Sequence, residues 1–149
     1  MTSARWHPWR ALRGRPHIEY RLDPAGEHGG GALHGRLGDR SAIVISPSLS
    51  RVERNAALAH ELVHDERGVS GPHATAATMQ TEERQVRQET ARRLVPLDEL
   101  LAFVEARVTV EPVTVAMAAE EFEVPPAVAA EALHQLQALL LERELRQTG

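Results

Sequence analysis

Arg54-Asn55-Ala56-Ala57-Leu58-Ala59-His60-Glu61-Leu62-Val63-His64-Asp65 decides how the rest of the chain is read. It contains His-Glu-x-x-His. On a helix, residues four apart stand one above the other, so His60 and His64 can reach one metal ion. Glu61 lies about 100° further round the axis, close enough to act on a water without being a ligand. Two imidazoles, a third protein ligand, an open water position and a nearby carboxylate form the working set of a zinc hydrolase. At about 100° per residue, Val52, Ala56, Ala59 and Val63 form an apolar patch beside the two histidines. Leu58 and Leu62 form a second patch behind them. Arg54, Asn55, Asp65 and Glu66 are left for solvent. The helix is therefore largely buried, and a metal would pair the polar groups that it carries inward.

The flanks fix the ends of this helix. Ser50 and Glu53 form an S-x-x-E capping box, which predicts a start near Arg51, and Gly68 predicts the end. Upstream, His17–Leu22, Ala32–Leu37 and Ser41–Ser46 read as strands, with the continuous apolar run of the third marking it as central. Asp23-Pro24-Ala25-Gly26 and Gly38-Asp39 are turn signals. Glu27–Gly31 is Gly-rich but lacks the pattern of a phosphate cradle. The expected frame is a small antiparallel sheet followed directly by the metal helix. Trp6-His7-Pro8-Trp9-Arg10-Ala11-Leu12 is expected to form a helical turn that lays two indoles on the core.

Downstream, Val69–Thr78 reads as a surface loop carrying His73. Gln80–Val95 is a second long helix, stopped by Pro96. Projection gives Met79, Val86, Thr90 and Leu94 as its apolar stripe, with Glu83 in the middle and Glu82 and Glu89 to one side. A carboxylate on a buried face needs a partner. For Glu83 that partner is either the metal or an arginine such as Arg87 or Arg36. Asp98–Arg107, Val115–Phe122 with Thr114 as cap, and Pro126 to about Arg143 predict three further helices. The last two are arranged like a helix-turn-helix. Between Pro126 and Leu141, however, the only charged residue is Glu131, and a groove-reading helix needs Arg or Lys. Specific nucleic-acid binding is not expected of this tail.

Composition sets outer bounds. The chain has 149 residues, 42% hydrophobic and 26% charged, which suits one soluble domain with a modest appendage. Net charge is −4, which gives no general attraction to nucleic acid. Cysteine is absent, so a metal must be held by His and carboxylate. Every basic residue is Arg, which excludes lysine chemistry. No apolar run reaches membrane-spanning length and Met1–Arg15 has no signal-like apolar core, so a cytoplasmic location is expected.

Taken together, His60-Glu61-Leu62-Val63-His64, then Glu83 thirteen residues before Pro96, with Val86 and Ala91-Arg92-Arg93-Leu94-Val95-Pro96 between, resembles the ImmA/IrrE family of metallopeptidases. The resemblance is good over Ile43–Leu97 and general in the flanks. It implies an α+β, gluzincin-like, minimal zincin-type domain at residues 1–97 and a helical, helix-turn-helix-like subdomain at 98–149. It implies Glu83 as third ligand of Zn²⁺, beside His60 and His64, and Glu61 as catalytic base of a zinc endopeptidase. The implied substrate is a protein, specifically a helix-turn-helix repressor. The chain departs from the family pattern at Val86, at Arg87, where an Asn or acidic residue often supports the metal, and at Glu89. For the oxyanion or the substrate the candidates are His73, Tyr20 and Arg87, and His34 to Arg36 is the edge to which an extended peptide would add. The competing expectation is a non-catalytic zinc-binding interaction protein of the same fold.

Overall fold

A computed structural model describes residues 4–23, 31–68 and 75–149. The expected loop histidine His73, and Pro24–Gly30 with most of the Gly-rich run, lie outside these residues. The described elements are, in order, α1 (Pro8–Arg13), β1 (Ile18–Leu22), β2 (Ala32–Leu37), β3 (Arg40–Ile45), α2 (Arg51–Arg67), α3 (Ala76–Leu94), α4 (Leu97–Glu105), α5 (Val115–Phe122) and α6 (Pro126–Thr148). The class is α+β.

The sheet has the order β1-β3-β2, with β3 central as the apolar run predicts. It is mixed, not antiparallel as expected. β2 and β3 form a hairpin in which Leu37 faces Arg40 across Gly38 and Asp39, so they run antiparallel. β1 joins the other edge of β3 and runs parallel to it, with Ile18 beside Ser41 and Leu22 beside Ile45. The sequence encodes the tight turn, but not which edge of β3 the first strand will occupy. Gly38 sits at φ +63°, a conformation that glycine adopts without strain. This topology leaves β2 at the edge of the sheet.

α2 lies between the sheet and the helical core built with α3 to α6. Ser50 accepts from the Glu53 N–H while the Glu53 side chain accepts from the Ser50 N–H, so the capping box forms as read. Gly68 closes the helix at φ +63°, with its N–H on the His64 carbonyl. The two apolar patches face different layers. Leu58 and Leu62 are fully buried against Ile43 and Ile45 of the sheet. Ala56 and Ala59 join Leu94, Val95, Leu100, Phe122, Ala129 and Leu136 in the helical core. Helices on both sides of residue 97 therefore share that core. In front of the sheet, Trp9 packs edge-on against Tyr20 and donates its indole N–H to Asn55 at 2.8 Å. Both indoles pack on the core, as expected of this segment.

The tail follows its sequence signals. Thr114 caps α5, Glu123 takes a left-handed turn at φ 53°, and α6 runs further than predicted, to Thr148. α3 also starts earlier than its apolar pattern indicates, because Thr75 accepts from the Thr78 N–H and caps it at Ala76.

Candidate metal centre

α2 and α3 bring three donors together. His60 Nε2 and His64 Nε2 are 3.2 Å apart. Glu83 reaches both rings, with Oε1 2.9 Å from His60 Nε2 and Oε2 3.0 Å from His64 Nε2. One donor atom from each lies within 4.8 Å of the others. The i, i+4 spacing on one helix turns the two rings the same way, edge to face at 4.8 Å between centroids. The side chains are 24%, 24% and 40% exposed, so the donors are reachable from solvent. An N, N, O set aimed at one point suits a divalent transition ion, and a neutral imidazole is the form that binds it. Burial holds the His60 imidazole below its ordinary value. Its neighbours His64 and Arg87 act in the same direction, against the pull of Glu83.

Glu61 is buried at 8% exposure and lines the same cleft as the donor set. Burial, then the negative charge of Glu83, pushes its carboxyl up to about 7. Such a group takes and releases a proton near neutral pH. A cleft of about 410 Å³ opens over the site. Its floor includes His60, Glu61, His64 and Glu83, and its far wall is the edge strand, at Ala32, Leu33 and His34.

A family model described as the IrrE N-terminal-like domain matches residues 17–134, most of the chain. The chain belongs to this metallopeptidase family. The match begins at β1 and continues through α2 and α3 into α6, and so takes in both sides of residue 97. No curated protein and no solved structure matches the chain.

In this IrrE-like metallopeptidase two buried acids occupy places that the helical projection assigns otherwise. Asp65, expected at solvent, is 8% exposed. His17 Nε2 approaches its Oδ2 at 2.8 Å, His34 Nε2 its Oδ1 at 3.1 Å, and the Ser41 hydroxyl also donates to Oδ1. Burial by itself would raise this carboxyl. The bonds from Ser41, His17 and His34 more than offset that and hold it at about 2. Asp65 thus ties α2 to β2, to β3 and to the residue that leads into β1, one residue beyond His64. The sequence signal for it is a pair of histidines, His17 just before β1 and His34 on β2.

The second is Glu82, expected beside the inward stripe of α3 and found in it at 7% exposure. Its carboxylate takes two bonds from Arg67, the second at 2.9 Å. Glu82, Val86, Thr90 and Leu94 make the buried line, and Met79 is 51% exposed. Val86, Thr90 and Leu94 stand in the stripe as predicted, and only its N-terminal end differs, where Glu82 is buried instead of Met79 and Glu83. Glu83 flanks it and still reaches both histidines. Glu89 pairs with Arg93, which also holds Glu66, away from the donors.

The remaining candidates separate. Tyr20 packs beneath Trp9 on β1, on the strand farthest from β2, and does not line the cleft. Arg87 lies one turn beyond Glu83, near enough to His60 to lower its basicity. His34, named at sequence level as part of a peptide-binding edge, does line the cleft.

Proposed function

We propose that this IrrE-like protein is a zinc endopeptidase of zincin-like fold that cuts a protein substrate, with a helix-turn-helix repressor as the substrate class. The observation that carries the reading is the convergence of His60, His64 and Glu83 beside a buried carboxylate at the floor of an open cleft. His60, His64 and Glu83 would hold the ion. Zinc in such a set supplies Lewis acidity, polarising a carbonyl and acidifying a water. Glu61 takes one proton from the attacking water as its oxygen bonds to the carbonyl carbon. The same carboxyl then delivers that proton to the amine as the C–N bond breaks, returning to its starting state. A buried base is suited to this because it is not levelled by bulk solvent.

The edge strand supports an extended peptide as ligand. β2 pairs with β3 on one side only, and it borders the cleft. Exposed Leu33 and Met79 line the same cleft and offer apolar contact to passing side chains. A substrate strand that adds here lies across the donors. Residues 98–149 act in this reading as a helical subdomain that packs on α2 and α3 through the shared core and does not read DNA. Among the described residues no helix is long and apolar enough to cross a membrane. A cytoplasmic site of action, where repressors work, is part of the proposal.

The test has two parts. Protein purified without added metal should carry about one zinc per chain. Loaded protein should cut a candidate repressor into two fragments, with a chelator blocking the cut. Cleavage that persists in chelator would end the metalloprotease mechanism. Repressors left intact while other proteins are cut would end only the substrate class.

A further inference from the structure

An apolar groove of about 390 Å³ runs between α6 and the end of α4 with the connection that follows it. Val104, Val108, Val113, Leu133, Leu136 and Leu140 supply most of its lining. Val108 is 69% exposed, and Leu141, which also lines the groove, is 53% exposed. Past Leu140, α6 continues to Thr148 with no buried side chain, and every position from Leu141 to Gly149 is exposed. Most of the stability of a helix in a protein comes from packing one face, and these last turns have none. Leu145 stands one turn beyond Leu141 and is 73% exposed. One patch of surface thus carries both an aliphatic socket and a protruding aliphatic knob.

The charges around the two are complementary. Arg143 and Arg146 flank the knob. Arg146 approaches Glu142 only at 3.9 Å, and Arg143 makes no ion pair among the described residues. The rim of the socket is acidic. Glu144 lines it, and exposed Glu105 and Glu111 adjoin Val104 and Pro112, which line it too. None of these three carboxylates has an ion pair among the described residues. Arg107, the base between them in sequence, lies over the Phe103 ring at 4.1 Å and lines a different cleft. An apolar socket rimmed by unpaired acids and an apolar knob beside unpaired bases are the two halves of one contact, and the same chain supplies both. Self-complementarity of this kind is what a two-fold contact between identical chains requires.

We infer that a second copy of this chain docks here, the end of α6 of each copy occupying the groove of the other. A two-fold axis close to Leu141 lays the two α6 helices antiparallel. It sets Leu145 of each copy over the groove of its partner at the level of Gln137, next to Leu133. The contact then has the usual anatomy of an interface, an apolar centre inside a charged rim. The groove shares no residue with the cleft over the donors, so the inference stands apart from the peptidase reading.

The experiment is sedimentation equilibrium of the full-length protein from about 1 to 200 µM, a span that brackets the dissociation of a modest interface. The mass of the wild type should rise towards twice that of the chain. Leu145→Glu alters the knob and Val108→Glu the socket. Both positions are exposed, so the fold tolerates a charge there, and the circular dichroism of dilute protein should not change. Each should raise the dissociation constant at least tenfold, the loss expected at the centre of an interface. A second arm exchanges the charges. One chain carries Arg143→Glu with Arg146→Glu, the other Glu105→Arg with Glu111→Arg. Each alone should associate at least tenfold more weakly than wild type, and an equimolar mixture should recover most of the loss, because acids then meet bases across both halves. Wild type that stays monomeric throughout overturns the inference and leaves the groove to a different protein. Dimers that neither Leu145→Glu nor Val108→Glu weakens overturn it by placing the contact elsewhere. A mixture no tighter than its two components overturns the pairing of the α6 end with the acidic rim.

Discussion

His34 Nε2 lies 3.1 Å from Asp65 Oδ1, and this contact joins the edge strand of the sheet to the helix that carries both metal-site histidines. Asp65 follows His64 directly, so whatever holds Asp65 also orients the end of the donor pair. His34 in turn lines the cleft over the donors.

Asp65→Ala should destabilise the protein by about 1–3 kcal/mol, because buried partners are left unmatched. The effect should depend on pH. The folded carboxyl sits at about 2 against an ordinary 3.8, so its contribution is fully present above about pH 4 and is lost as pH falls from there towards 2. Urea unfolding of metal-free wild type and Asp65→Ala from pH 6 to 2 measures this. A stability gap that stays constant down to pH 2 would contradict it.

Glu61→Gln should retain zinc and lose roughly 10²–10⁴-fold in hydrolysis, the usual weight of a general base. The same change should stabilise the metal-free protein in alkali. A carboxyl raised to about 7 binds its proton more tightly folded than unfolded. It therefore costs stability progressively as pH rises from about 4.5 to 7, and the cost is complete above that. The melting temperature of the variant should exceed that of wild type at pH 8, and the two should converge near pH 4.5.

Glu83→Ala should strip the metal, since two imidazoles alone make a weak site. Glu89→Ala should keep it, because Glu89 pairs with Arg93 instead. Glu82→Ala should keep the metal as well but lower stability by about 1–3 kcal/mol, because it abandons the Arg67 guanidinium. Zinc stoichiometry and melting curves on the three variants separate these effects. Loss of zinc from Glu89→Ala with retention in Glu83→Ala would reverse the ligand assignment.

Leu62→Ala should cost about 2–5 kcal/mol, because its side chain is fully buried between α2 and the sheet. Chemical denaturation of the metal-free form gives the value directly. A loss under 1 kcal/mol would mean that this layer is not tightly packed.

The local parts of the architecture were legible in the sequence. The Ser50–Glu53 box and Gly68 mark both ends of α2, and the spacing of Leu58 and Leu62 shows a second apolar face, which the structure turns to the sheet. Glu83 was reachable by helical projection with the metal as one of two partners, and the family resemblance then favoured the metal. The parallel pairing of β1 was not legible, because nothing in β1 distinguishes one edge of β3 from the other. Asp65 and Glu82 were misplaced for a related reason. Periodicity treats an acid as solvent-seeking unless a partner is known. Their partners lie 48, 31 and 24 residues away for Asp65 and 15 away for Glu82. Burial of a charge is a property of a pair, and long-range pairs do not appear in a local window.

The hairpin turn at Gly38 has a bearing on chemistry that its distance from the donors conceals. It sets the register in which His34 stands opposite Ile43. Side chains alternate along a strand, so a slip of one residue would turn His34 to the opposite face and remove it from Asp65. Strand alignment in this small sheet thus decides whether His34 reaches Asp65 and lines the cleft. A side chain that resists φ +63° at position 38 would therefore reach Asp65 through His34 and, through Asp65, the end of the donor pair.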